Sequence, residues 1–273
     1  FSYALVCSAL ATSLSVVLIV ANQYLDRVHS QRLIHLSESV SSEVRHNFSV
    51  LHSDLLSSVY EFDRRDMDFN VYAQALLVRH PEVLMVELRS NQGNLFNSLA
   101  LNRNVGSYVE KSDLRNTLPV WFEDRFFEAV QKRLPKYSVV HPGDFGLTPR
   151  QAFHDGRVIE LYVPLEIIKS VMVLVINPRD WMISEFIEKL AIDNALMISM
   201  RLDREIIVEG IGLRGRSLED TRDHELSLDL PGVEATLLVK SLASDASDFR
   251  KIYYPIFLFS IVMAVVLFVS LRS

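Results

Sequence analysis

The chain has 273 residues, 49% of them hydrophobic and 23% charged, with a net charge of −6 and a mean hydropathy of +0.17. That length supports one large or two modest domains around a buried core. Cys7 is the single cysteine, which excludes a disulfide-stapled scaffold. An excess of 34 acids over 28 bases, with no basic cluster, argues against a nucleic-acid binder.

The apolar residues collect at the two ends. Residues 1–21 and 253–271 carry no charge. Each run is long enough as a helix to cross a hydrocarbon layer of about 30 Å. They are predicted as transmembrane helices 1 and 2. Tyr253, Tyr254 and Arg272 flank the second run as interfacial anchors. The first run includes Ser8, Thr12, Ser13 and Ser15, but it is longer than the apolar stretch of a signal peptide. No A-x-A-like cleavage site precedes Asn22, so it reads as a retained anchor. Residues 22–252 hold every acid and all the bases except Arg272, and must fold in water. Two spans put both ends of this middle on one side of the membrane. A long translocated loop, with Arg272 just past the second span, places the middle outside the cytoplasm. A cytoplasmic output is expected beyond residue 273.

In chain order, a membrane-emergent helix is predicted over 22–62, because Gln23 to Phe62 contains neither proline nor glycine. One apolar stripe runs through Leu33, Leu36, Val40, Val44, Phe48, Leu51, Leu55, Val59 and Phe62. Its mean spacing of about 3.6 is that of a straight helix with one buried face. The stripe is expected to pack on its own domain, and a parallel dimer seam would use the same residues. After the polar break 63–68, a helix over about 69–80 ends at Pro81. VLMVELRS (83–90) and LFNSLAL (95–101) read as strands about an Asn91-Gln92-Gly93-Asn94 turn. Residues 119–134 form an amphipathic helix opened by Pro119. A loop over 141–149 follows, then two strands, RVIELYVPL and IIKSVMVLVIN. Asn177-Pro178 reads as an N-cap with proline at N1, starting one helix that runs to about Asp193. Four short strands follow, LMISMRL, EIIVEG, ELSLDL and VEATLLVK, and residues 241–252 lead as a helix into the second span. The pattern is α+β: a long N-terminal helix plus two antiparallel-sheet units, flanked by two transmembrane helices.

This order of elements resembles the Cache or PDC domains, the PAS-like extracytoplasmic sensors of bacterial transmembrane receptors. The segment ALLVRHPEVLMVELRSNQGNLFNSL (75–99) is similar to the family's helix, strand, turn glycine and second strand. YVPLEIIKSVMVLVINPRDWMISEF (162–186) resembles its closing hairpin running back into a helix. The resemblance implies a double module: a full membrane-distal one at 63–189, a reduced membrane-proximal one at 190–241, and a linker helix at 242–252. The sequence departs from the compact arginine, tryptophan and tyrosine pattern of amine- and amino-acid-binding members. Arg115 and Trp121 stand six apart, and Phe122 follows the tryptophan.

No catalytic motif is present: there is no G-x-S-x-G, Walker loop or H-E-x-x-H. His29, His35, His46 and His52 share the long helix without an i,i+4 pair, so no metal site is expected. Asn47-Phe48-Ser49 matches a glycosylation sequon, but it lies on the apolar stripe and reads as coincidence. The resemblance puts a ligand pocket between the distal sheet and the helix and loop that join its halves. Its candidate residues are Trp121, Arg125, Tyr137, His141, Arg150, His154, Arg157 and Tyr162. Arginines with a histidine and tyrosines would suit a carboxylate, which a guanidinium fork grips at two points. Solvated surface arginines are the ordinary alternative.

The expected function is the sensor region of a bacterial inner-membrane receptor, with residues 22–252 periplasmic. The output would be a histidine kinase, a cyclic-di-GMP enzyme or a chemoreceptor, and the chain a homodimer whose signal is a small molecule or a periplasmic protein. No cofactor is expected. The alternative from another class is a membrane-tethered interaction or assembly module without signalling output.

Overall fold

The computed structural model describes residues 2–65, 67–102, 107–110, 120–140, 158–202, 205–212, 221–230 and 233–242, together with 261, 265 and 269. Helix α1 spans Ser2–Arg64, 63 residues, and so takes in the first apolar run and the emergent helix without a break. No proline or glycine interrupts it. Where its side chains are described near the start, Val16, Ile19, Val20 and Tyr24 are exposed. Ile261, Val265 and Val269, all helical, are exposed likewise. Among the described residues no helix is long and apolar enough to cross a membrane.

From Leu33 onward α1 buries the predicted stripe. Val40, Val44, Phe48, Leu55 and Val59 have no exposed surface. Each such side chain stabilises the fold by about 1.5–3 kcal/mol relative to exposure. The stripe packs into the core that the chain's own two sheets share.

Helix α2 (Phe69–Arg79) opens on Asp68, whose carboxylate accepts from the Val71 N–H, and ends at His80, ahead of Pro81. Six antiparallel strands form the first sheet: β1 (Val83–Ser90), β2 (Leu95–Asn102), β3 (Ser107–Glu110), β4 (Lys136–Val140), β5 (Val158–Leu165) and β6 (Ser170–Ile176). Their spatial order is β3-β2-β1-β6-β5-β4. Strands β3 and β4 are additions to the sequence reading, and both are short edges. Helix α3 (Val120–Lys132) precedes β4. The expected loop at 141–149 lies outside the described residues.

The single helix predicted from Pro178 to Asp193 is two. Helix α4 (Pro178–Met182) starts at the Asn177 N-cap, and α5 (Glu185–Asp193) starts at Ser184, whose hydroxyl accepts from the Ile187 N–H. A capping serine offers the backbone an alternative to continuing the helix, and here the chain takes it. The second sheet contains β7 (Leu196–Leu202), β8 (Glu205–Gly212), β9 (Thr221–Leu230) and β10 (Val233–Leu242), in the order β8-β7-β10-β9. Strand β10 thus extends into residues expected to begin the linker helix. One continuous apolar core joins α1, α2, α4, α5 and the inner faces of both sheets.

Candidate functional site

Strand alternation divides the six-stranded sheet into two chemically different faces. The face toward α1 is apolar: Val86, Leu88, Ile159, Leu161, Val163, Met172, Leu174 and Ile176 belong to the main core. The opposite face carries α3. There Tyr162 packs with Phe126, Ala129, Val171 and Val173, the Phe126 and Tyr162 rings meeting edge to face at 5.9 Å.

This second face holds most of the sheet's buried polar groups. The pairings Glu87↔Ser98, Glu87↔Val173, Tyr162↔Val173 and Lys136↔Tyr162 set Ser98, Glu87, Val173, Tyr162 and Lys136 in one row across five strands. The next row contains Met85, Val175, Glu160 and Ser138. Arg89, with no exposed surface, donates from Nε to Glu87 Oε2 at 2.8 Å and from Nη1 to the Gly93 carbonyl at 2.9 Å. Gly93 sits in the β1–β2 turn with φ 88°, a conformation that favours glycine. The Tyr162 hydroxyl donates to Glu160 Oε2 at 2.5 Å. At the margin, Glu128 on α3 accepts from Lys132 at 2.6 Å and from Lys136 at 3.0 Å. Those two hydrogen bonds pull its carboxyl down to about 2.

The face thus carries two buried carboxylates, a buried guanidinium and a phenol, paired along their own strands, Arg89 with Glu87 and Tyr162 with Glu160. Among the described residues no three metal-ligating side chains gather.

The predicted site residues divide accordingly. Trp121 and Arg125 lie on α3, Arg125 paired with Glu128 at 3.6 Å. Tyr162 lies on the polar face, fully buried. Tyr137 is on the other face. It hydrogen-bonds His52 of α1 and stacks against Trp181 at 5.8 Å, with Phe48 4.6 Å from the same indole. Burial pushes the Tyr137 phenol up and holds the His52 imidazole below its ordinary value. His141, Arg150, His154 and Arg157 lie outside the described residues. Glu87, Arg89 and Glu160 are not among the residues expected from sequence, although charges at alternate positions of apolar strands are the signal of a buried polar face.

Comparison with solved structures bears on this architecture. A domain of a protein assigned to the sensory box/GGDEF family of Vibrio parahaemolyticus superposes with a TM-score of 0.53 at 10% identity, covering 80% of this chain and 97% of that one. This chain shares that domain's fold, in agreement with the Cache/PAS-like resemblance of the sequence. The extracellular domain of the histidine kinase vpHK1S-Z8 gives a TM-score of 0.47 at 8% identity over 78% of this chain and 93% of its own. No family model matches the sequence, and no curated protein matches it either.

Proposed function

We propose that this chain is the sensing region of a bacterial inner-membrane receptor, with residues 22–252 in the periplasm. The observation that carries the reading is the buried polar face of the six-stranded sheet under α3, in a fold shared with a sensory box/GGDEF protein's domain. Helix α1 gives that sheet an unbroken connection to the first apolar run. The exposed apolar side chains of α1 at Val16, Ile19 and Val20 support a lipid-facing segment there. A small polar ligand held by Glu160, Tyr162 and the Glu87–Arg89 pair, with Arg125 at the margin, would bias the distal module and be reported through the two spans. The output would be a histidine kinase, a cyclic-di-GMP enzyme or a chemoreceptor. The receptor would work as a homodimer that uses surfaces of α1 other than the buried stripe.

A thermal-shift screen of the purified chain in detergent micelles against carboxylates, sugars and amines tests this. A ligand at one hundred times its Kd stabilises by about 2.7 kcal/mol. The shift should disappear in Glu160→Gln and Tyr162→Phe. A confirmed ligand whose affinity ignores both changes would overturn the site. The second reading, a tethered module that docks a protein, is favoured by exposed apolar side chains around the end of α1: Met67, Val71, Ile167 and Ile168. A screen without any stabilising compound would move the balance to that reading.

A further inference from the structure

Asp63 lies one residue before the end of α1 and is 7% exposed. Its carboxylate is directed at the backbone of the β5–β6 turn. Oδ2 accepts from the Glu166 N–H at 2.9 Å, both oxygens accept from the Ile167 N–H at 3.2 Å, and Oδ1 accepts from the Ile168 N–H at 3.1 Å. One anion therefore caps three successive amides, each a charge-assisted bond. Lys169 closes the turn with φ 55°.

Other polar links that leave α1 among the described residues are of a different kind. Arg32 to Asn194, Ser184 to Glu43, Arg79 to Asp54, Ser58 to Tyr72 and His52 to Tyr137 join side chain to side chain, and Asn47 to the Met182 carbonyl is a single bond of 3.3 Å. Long side chains absorb a displacement by changing rotamer. A short aspartate holding three backbone amides cannot, so turn and helix end must move together.

The hairpin behind that turn reaches the polar face. Strand β5 turns Glu160 and Tyr162 toward α3, and Ile159, Leu161 and Val163 toward α1. Its pairing with β6 keeps register from Ile159↔Ile176 to Leu165↔Ser170 without a bulge. Tyr162 stands three residues, or about 10 Å, before the end of this strand at Leu165, and Glu166 follows directly.

We propose that Asp63 is the coupling point at which the β5–β6 hairpin drives α1, converting a change on the polar face of the sheet into a displacement of the helix that runs toward the first apolar run. The proposal rests on the reading that this face receives the signal. Its test uses no ligand, so failure of a ligand screen and failure of the coupling are separate results.

The experiment is a double-mutant cycle read by amide hydrogen exchange on the full chain in nanodiscs. Tyr162→Phe removes the hydroxyl that donates to Glu160 and perturbs the polar face alone. In the otherwise unchanged chain it should alter exchange of the α1 amides over 55–64 by about tenfold. In the Asp63→Ala background the β5 amides should still respond, and the α1 response should fall below about twofold. An undiminished α1 response without Asp63, or none in its presence, overturns the proposal. Should Asp63→Ala not fold, Asp63→Asn decides in its place. Its carboxamide turns a donor toward amides that need an acceptor, so the α1 response should drop by more than about half. If it does not drop, the coupling point is elsewhere.

Discussion

Replacing Arg89 by methionine puts a number on the buried polar face. Arg89 is among the largest side chains without exposed surface, and Glu87 beside it is 3% exposed. Methionine keeps much of the apolar stem and removes the guanidinium, so the packing loss is small and the electrostatic loss is isolated. Breaking one partner of a buried ion pair costs about 3–5 kcal/mol, because the remaining carboxylate is left in a low-dielectric site. The lost bond to the Gly93 carbonyl adds about 1 kcal/mol and loosens the β1–β2 turn. At about 2–4 °C per kcal/mol for a domain of this size, Arg89→Met should lower Tm by roughly 8–24 °C. The double variant Glu87→Leu/Arg89→Met removes both charges and should recover most of that loss, since an apolar pair of similar volume is neutral to stabilising. Thermal unfolding of wild type, single and double variants in the same micelles and at one pH decides it. A single variant costing less than about 1 kcal/mol, or a double variant as unstable as the single, would refute the buried-pair reasoning.

Three further outcomes are expected. Phe48, fully buried between His52, Tyr137 and Trp181, should cost about 3–5 kcal/mol when changed to alanine, and chemical denaturation measures this. Burial holds the His52 imidazole below its ordinary 6.5, so the unfolded chain takes up the proton first as pH falls. Its contribution is whole above the unfolded value and is lost as pH drops below it, so Tm should fall less between pH 7.5 and 5.5 in His52→Gln than in wild type. Parallel curves would exclude His52 as the cause. Ala195 follows α5 with φ 50°, so Ala195→Gly should stabilise by about 0.5–1 kcal/mol, and an unchanged or lower Tm would contradict the left-handed assignment.

Much of this fold is legible in one-dimensional pattern. The limits of β1 and β7 coincide with the apolar runs at 83–90 and 196–202, because turn residues bound both. The stripe of α1 is legible because a period of 3.6 held over many turns arises from little besides a helix with one buried face. The edge strands β3 and β4 are not, since four or five residues with one neighbour leave little pattern. The break at Ile183–Ser184 is hidden because apolar spacing continues across it into Phe186 and Ile187, while the decisive feature is one serine hydroxyl. Residue type alone suits Tyr137 to a polar pocket. The side of the sheet it occupies follows from the register of β4 on β5, which no local pattern encodes. Glu87, Arg89 and Glu160 are legible in principle, as charges set at alternate positions in otherwise apolar strands. The family resemblance points instead to aromatic and basic residues of the helix and loop, so it leads away from the strands that carry the buried charges.

The unbroken path of α1 makes rotational phase a structural variable of this protein. Over 63 residues the helix has no proline or glycine at which twist could relax. Each residue turns the rod by about 100° and advances it about 1.5 Å. One residue inserted between Asn22 and Gln31, below the packed stripe, would swing the outer sheets by about 100° relative to the first apolar run, a little over a quarter turn, while lifting them hardly at all. Four inserted residues would lift them about 6 Å and nearly restore the original heading. The spacing between that run and Leu33 thus sets an angle, and two chains standing side by side would meet or miss according to it.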